Sequence, residues 1–408
     1  MIAGKRILYV THRFPFPPAG GAKVRAFHSI RHLAAKNEVT VAAPLRDAEE
    51  AAAVSGLEAE GVEVLAAPVS RTRAALQSLA HAATGRPASM GYFRAPRLVR
   101  RVARWIAERS PDLVVVHCSS VAPWVVRARV PKVLDFVDMD SGKWRDYASF
   151  TAVPKSLVYR WEAWTLARAE ARLARAFDLS LVTTEFERES LRAIAGEVPA
   201  MVVRNGVDLD YFRPLGEACD PHLVCFVGRM DYLPNARAMI RFCREVMPRV
   251  RSALPQARLR IVGAAPGPDV RALAALPGIE VTGTVDDVRP HVGRAALTVA
   301  PLTIARGTQN KVLESMAMGV PVVASALAAR GVDMVPGEHL LVADAPADLA
   351  GAVLSLLSDG GKRAALARAA LERVAAIYPW SESQRAFEEA LSRVLDGRAA
   401  LHEERALG

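Results

Sequence analysis

The sequence predicts an α/β protein with two Rossmann-like, doubly wound parallel-sheet domains. Three observations carry that reading. Apolar runs of strand length recur along all 408 residues, with helix-length segments between them. Most of these runs are continuously apolar and do not alternate, the pattern of parallel strands covered on both faces. The series also starts twice, and 408 residues exceed what one hydrophobic core ordinarily supports.

In the first half the predicted strands are Ile7–Val10, Val39–Ala43, Val62–Ala67, Leu113–Val116, Val133–Val137, Leu179–Thr183 and Met201–Val203. In the second half they are Leu223–Val227, Leu259–Val262, Ile279–Val281, Leu297–Ala300, Val320–Ala324 and Leu340–Ala343. Their alternation with helices indicates doubly wound architecture. Arg204-Asn205-Gly206-Val207-Asp208 carries turn chemistry, and Pro214, Gly216 and Pro221 prolong an irregular stretch before a fresh strand at Leu223. The boundary therefore falls near 205–221, giving domains of residues 1–205 and 206–380. Tyr378-Pro379-Trp380 interrupts helical sequence. Residues 381–408 then hold a last helix, Ser381 to about Asp396, expected to pack back on the N-terminal domain, and a polar tail. Two such domains in tandem would form a cleft at the carboxyl ends of their strands, where such sheets bind ligands.

A composition of 51% hydrophobic and 24% charged residues excludes disorder as the main state. No run approaches 18 uncharged apolar residues, so no spanning helix is expected. MIAGKRILYVTH reads as a first core strand and not as a signal peptide. Cys118, Cys219, Cys225 and Cys243 form no C-x-x-C pair and read as buried thiols of a reducing cytosol. Net charge is +10, and residues 1–200, with 29 Lys+Arg against 20 Asp+Glu, hold +9 of it. That asymmetry suggests an anionic partner, either nucleic acid or an anionic membrane, or a merely solvated basic surface.

The richest chemistry lies in LTVAPLTIARGTQNKVLESMAMGVPVVAS, residues 297–325. A strand enters a loop with Arg306, Gly307 and Thr308, and a helix then carries Asn310, Lys311 and Glu314. Lys311 and Glu314 are three apart, so they project from one face of one helical turn. That turn lies near the helix N-terminus, which favours an anion. Cation and carboxylate together suit a ligand with both phosphate and sugar hydroxyls, such as a nucleotide-sugar.

Other segments offer two readings each. Gly20 and Gly21 open a helix after the first strand, either to admit a phosphate or as a tight turn; G-x-G-x-x-G is absent. His117 ends the fourth strand, as a sugar or acceptor contact or as a structural histidine. Arg229, after Gly228, could grip a diphosphate in bidentate fashion or form a surface ion pair. Gly283 and Thr284 could meet a nucleobase edge or merely turn the chain. Asp138 and Asp140, before Ser141-Gly142, could cap a helix, contact an acceptor or bind Mg²⁺, with cap or acceptor favoured over metal. In Tyr92–Ile106, Arg97, Arg100, Arg101 and Arg104 cluster opposite Leu98, Val102, Trp105 and Ile106. Such a helix can rest on anionic lipid or turn its apolar stripe to its own sheet.

Together these segments resemble the retaining glycosyltransferases of the GT-B fold, in glycosyltransferase family 4. The likeness runs nearly end to end, through the Gly20-Gly21 loop, His117, Asn205–Asp208, Gly228-Arg229, Gly283-Thr284 and Lys311 to Val323. VTHRFPFPPAGGAKVRAFH, LDFVDMDSGKW and ARGTQNKVLESMAMG look most like a branch of bacterial sugar transferases found with exopolysaccharide and exosortase (PEP-CTERM) systems. The resemblance implies an acceptor-side N-terminal domain, a donor-binding C-terminal domain and no required metal or bound cofactor. It makes Glu314 the holder of ribose hydroxyls, Arg229 and Lys311 the diphosphate contacts, Gly20 and Gly21 the loop near the donor phosphate, and His117 the sugar-proximal histidine. It implies as partners a nucleotide-sugar and a glycan or polyprenyl-linked acceptor, met in the cytoplasm or on the inner membrane face.

The chain departs from the family pattern twice. Arg306 stands where the family's first glutamate of E-x7-E contacts the donor sugar, and Pro234-Asn235 stand near the family's usual lysine. Two alternatives remain, a GT-B nucleotide-sugar epimerase and a basic nucleic-acid-binding protein. The latter lacks a recognition motif.

Overall fold

The computed structural model describes residues 2–18 and 21–406; Gly20 lies outside them. The chain forms two compact units, Met1–Arg204 with Ser381–Gly408, and Asn205–Trp380.

The first unit holds seven strands: β1 (Arg6–Thr11), β2 (Glu38–Leu45), β3 (Glu63–Pro68), β4 (Leu113–His117), β5 (Lys132–Val137), β6 (Leu179–Val182) and β7 (Ala200–Val202). All pairings are parallel, in the order β3-β2-β1-β4-β5-β6-β7. Successive residues point to opposite faces, so each strand feeds two cores. Leu8, Val10, Val114, Val116 and Leu134 pack on one side; Ile7, Tyr9, Leu113, Val115 and Val133 pack on the other. A strand buried on both faces has no place for alternating polar residues, hence the continuous apolar runs.

The last helix, Trp380–Ala406, adds Phe387, Ala390, Leu391 and Val394 to the second of these cores. Glu388 on it accepts a 2.7 Å hydrogen bond from the Ile2 amide. The helix runs ten residues past the expected end at Asp396. Ala, Leu, Glu and Arg dominate there, and all are good helix formers.

The second unit holds β8 (Asp220–Val227), β9 (Arg258–Val262), β10 (Ile279–Gly283), β11 (Ala295–Ala300), β12 (Val322–Ala324) and β13 (Leu341–Val342), again all parallel, in the order β10-β9-β8-β11-β12-β13. Val224 and Phe226 enter a large core, and Leu223 and Cys225 a smaller one on the other face. Both sheets are thus doubly wound, as the sequence predicts. Their strand order reverses at β1/β4 and at β8/β11, the places where open α/β sheets bind ligands. Cys118, Cys225 and Cys243 are buried free thiols, but Cys219 is exposed, since it lies in the irregular stretch ahead of β8.

Candidate active site

In the second unit the chemistry collects at the β8/β11 reversal. β8 ends at Val227 and leads into Gly228 and Arg229; β11 ends at Ala300 and leads through a loop to the Asn310–Ala317 helix. Lys311, on the first turn of that helix, reaches back over the end of β8. Its Nζ donates to Asn235 Oδ1 at 2.6 Å and stands 4.4 Å from the centroid of the buried Phe226 ring. Asn235 is itself fixed by donating from Nδ2 to the Arg229 carbonyl at 2.9 Å. Glycine at 228 makes this possible, because a Cβ there would lie 2.7 Å from Asn235 Nδ2 and 2.9 Å from Lys311 Nζ. Gly263, after β9, is equally constrained: its φ is +157° and a Cβ would overlap the Gly228 carbonyl oxygen. Two glycines therefore bring three strand ends close enough to seat the lysine.

Lys311 and Glu314 share one helical face and keep some accessible surface. Even so, burial lowers Lys311 to about 7, against the opposing pull of the Glu314 charge. Burial likewise raises Glu314 to about 7, with Lys311 pulling the other way. Desolvation outweighs mutual attraction in both groups. The arrangement is a desolvated cation beside a desolvated carboxylate, and an anionic ligand would stabilise the charged lysine.

The surrounding candidates are placed as follows. Arg229 is exposed and forms a bidentate ion pair with Asp231, at 3.1 and 2.7 Å. Arg306, Thr308 and Asn310 are half-buried on the loop and helix start, and Gly307 is buried with φ +56°. Gln309 donates to the Arg306 carbonyl at 2.9 Å, and Asn310 Oδ1 accepts from Asn205 at 3.3 Å. Gly283 ends β10 with φ +73°, and Thr284 beside it is exposed.

In the first unit a buried polar cluster sits at the β1/β4 reversal. Thr11, His117 and Asp135 are register neighbours across β1, β4 and β5. Arg25, from the Gly21–Ala34 helix, donates to both Asp135 oxygens, from Nε at 2.8 Å and Nη2 at 3.2 Å, and from Nη1 to the Val203 carbonyl at 2.9 Å. His117 is fully buried, its Nδ1 lying 3.5 Å from Asp135 Oδ2 and 3.4 Å from Tyr9 Oη. Its Nε2 has no partner, and its ring stacks with that of His12 at 6.0 Å. Burial alone would raise the Asp135 carboxyl, but Arg25 and His117 overcome it and hold the group well below its usual range.

The helix after β5 corrects one expectation. Its N-cap is Met139, whose side chain makes no cap, and neither Asp138 nor Asp140 caps it. Carboxylates from distant helices take the free amides instead: Glu187 accepts from Met139 N at 2.8 Å and Glu170 from Ser141 N at 3.3 Å. Asp140 pairs with Lys143, and Asp138 accepts from Thr183 at 3.1 Å. Burial and the nearby Glu187 charge push Asp138 up to about 7. Among the described residues no group of three His, Cys, Asp or Glu side chains is arranged to hold a metal ion.

Two family models match this chain in tandem. Residues 20–206 match a "Glycosyl transferase 4-like domain" and residues 221–359 match "Glycosyl transferases group 1". The chain is a glycosyltransferase of the group 1 kind.

The D-inositol 3-phosphate glycosyltransferase of Acidothermus cellulolyticus is 32% identical to this glycosyltransferase over 230 residues. That match spans half of each chain. Among solved structures, Anabaena HepE in complex with UDP is similar at TM-score 0.69 and 16% identity, covering 95% of this glycosyltransferase and 99% of that chain. Sucrose-phosphate synthase of Thermosynechococcus elongatus is similar at TM-score 0.70 and 16% identity, covering 96% and 100%. At such identities these likenesses speak to the fold, which is GT-B.

Sequence reasoning missed four residues of this glycosyltransferase's polar clusters: Asn235, Arg25, Asp135 as the partner of His117, and Tyr9. Asn235 follows Pro234 near the position where the family's usual lysine is missing. That departure was the one available signal, and the structure fills it with the acceptor for Lys311.

Proposed function

We propose that this protein transfers a sugar from a nucleoside-diphosphate sugar to a glycan or lipid-linked acceptor, with retention of anomeric configuration, in exopolysaccharide assembly. The observation that carries the reading is the desolvated Lys311–Glu314 pair at the β8/β11 reversal, with Lys311 held by Asn235 over Gly228. Lys311 neutralises charge developing on the departing diphosphate, the preorganised stabilisation that often dominates catalysis. Glu314 accepts from the ribose hydroxyls, and Gly283 and Thr284 meet the base. Arg306, Gly307, Thr308 and Asn310 line the donor sugar. Arg229 joins by exchanging Asp231 for phosphate, at small cost because an exposed ion pair contributes only about 0–1 kcal/mol. His117 serves as the sugar-proximal residue, with Asp138 and Asp140 on the acceptor side. The structural likeness to HepE, solved in complex with UDP and with UDP-glucose, supports a uridine donor.

A thermal-shift panel of UDP, GDP, ADP and their sugars tests this, because a ligand of the native state raises the melting temperature. UDP and its sugars are expected to do so. If no nucleotide shifts the transition, the donor assignment fails.

We also propose a peripheral site of action on the inner face of the cytoplasmic membrane. No helix among the described residues is long and apolar enough to cross a membrane. In the Pro96–Arg109 helix, Leu98, Val102 and Trp105 are buried in the unit's own core, so this helix offers lipid only charge. Arg97, Arg100, Arg101 and Arg104 are exposed, though Arg101 also donates to the Ala66 carbonyl at 2.7 Å. Replacing all four with Gln is expected to weaken co-sedimentation with anionic vesicles and leave the nucleotide thermal shift intact.

A further inference from the structure

The exposed large apolar side chains of the first unit are confined to one stretch of sequence. Among the described residues they all fall between Leu76 and Trp164. Leu157, Val158, Trp161 and Trp164, on the Lys155–Ala176 helix, are 56%, 63%, 46% and 49% exposed. Leu76 and Leu79, on the Arg71–Ala83 helix, are each 68% exposed. A soluble surface rarely concentrates large apolar groups in this way without a partner.

The two helices are fastened together. Glu162 on the longer helix accepts from the amides of Ala88 and Ser89 at 2.7 and 2.9 Å, and Ser78 on the shorter one donates to the Ala88 carbonyl at 2.9 Å. Where they meet, Gly85, Trp161, Trp164, Arg168, Arg172 and Arg175 line a surface recess. The tryptophan rings lie 5.3 Å apart, and the Arg168 guanidinium sits 4.2 Å over the ring of Trp164.

The charge around these side chains has one sign. Both acids of the longer helix, Glu162 and Glu170, are buried, whereas Lys155, Arg160, Arg168, Arg172 and Arg175 are exposed. From Val64 to Ala107 the chain holds eight arginines and no acidic residue. A nucleic acid would meet the arginines and leave the leucines and valines in water. A bilayer with anionic headgroups satisfies both, taking the apolar groups and the tryptophan rings at the interface and the guanidiniums at the phosphates.

We propose that this face docks the protein on an anionic lipid bilayer, with Leu76, Leu79, Leu157, Val158, Trp161 and Trp164 entering the interface and Arg160, Arg168 and Arg172 meeting lipid phosphate. The proposal rests on the peripheral-membrane reading above and gives it an inserting surface, which the Pro96–Arg109 helix lacks.

The test is co-sedimentation of the full chain with phosphatidylglycerol–phosphatidylcholine vesicles and with pure phosphatidylcholine vesicles. Binding is expected to the anionic vesicles and to be strongly weaker to the neutral ones. The Trp161→Ser/Trp164→Ser variant should bind at least about tenfold more weakly, from lost apolar insertion. The Arg160→Gln/Arg168→Gln/Arg172→Gln variant should lose on the order of a hundredfold. All five residues are exposed, so both variants should keep the wild-type circular dichroism and the UDP thermal shift. That shift reports on the other unit, so a failed docking surface and a failed donor site give different results. Equal binding of wild type and variants overturns the proposal. So does a wild-type dimer that the Trp161→Ser/Trp164→Ser change dissociates without any vesicle binding, or tight duplex DNA binding in its place.

Discussion

Lys311→Ala and Glu314→Ala are each expected to lower turnover by more than about tenfold, a loss above roughly 1.4 kcal/mol of transition-state stabilisation. The lysine is held over the end of β8 by Asn235 and by the Phe226 ring, so its charge is fixed at that point before any ligand arrives. Steady-state rates of both variants at saturating donor check this, and near-wild-type rates in both would sink the site. The pH profile adds a second signature. Lys311 sits near 7 because burial lowers it, so it sheds its proton, and with it the cation for the diphosphate, as pH rises through that value. Glu314 sits near 7 because burial raises it, so it is protonated, and loses its second acceptor oxygen, as pH falls through the same value. Dependence of kcat/KM on pH should therefore be a narrow bell centred near neutrality that belongs to the pair. In Glu314→Gln the acid limb should flatten.

The second large effect concerns stability. Arg25→Met should destabilise the first unit by about 3–5 kcal/mol, because it strands the Asp135 carboxylate without its cation in the interior. That is a large share of the roughly 5–15 kcal/mol that holds an ordinary domain together. Five of the six tryptophans, Trp105, Trp124, Trp144, Trp161 and Trp164, lie in this unit, so fluorescence-monitored urea unfolding reports on it directly. The double variant Arg25→Met/Asp135→Leu should recover much of the loss, since neither charge then remains to be desolvated. A single variant as stable as wild type would refute the ion pair's role. Linkage fixes the pH sense. The folded-state carboxyl lies below its unfolded value of about 3.9, so its contribution is fully present above that pH and is lost as pH falls through the folded value. The stability gap between the wild type and Arg25→Met should therefore be widest near neutral pH and narrow as pH falls, because acid removes the wild type's ion pair and neutralises the stranded carboxylate of the variant.

These expectations show what could and could not be seen in the sequence. The strands were visible because each feeds two cores, which forces an unbroken apolar run such as Leu113–Val116. Lys311 and Glu314 were visible because three-residue spacing on a helix is a local property. The partners that set their chemistry were not. Asn235 is 76 residues from Lys311, and Arg25 is 110 from Asp135. Each pairing follows from strand order, which no single segment encodes. The helix after β5 shows the same limit. Asp138 and Asp140 carry a local cap signature, yet Glu170 and Glu187 take the amides from elsewhere in the fold. Asp138 is left as a carboxyl that titrates near neutrality. At Arg229 the sequence offered phosphate grip or surface pair, and the structure displays the pair with Asp231.

The last helix has a consequence for how the chain acquires its structure during synthesis. Phe387, Leu391 and Val394 fill the same core as Ile7, Tyr9 and Val115, and Glu388 holds the amide of Ile2. The second unit is therefore an insertion within the first, and it can complete its own core while the ribosome is still translating. The first unit emerges earlier but finishes later, because one wall of its interior is encoded after the second unit. Until that wall arrives, the core around Ile7, Tyr9 and Val115 lacks part of its apolar cover, and the nascent chain spends the translation of some 180 residues in need of shielding.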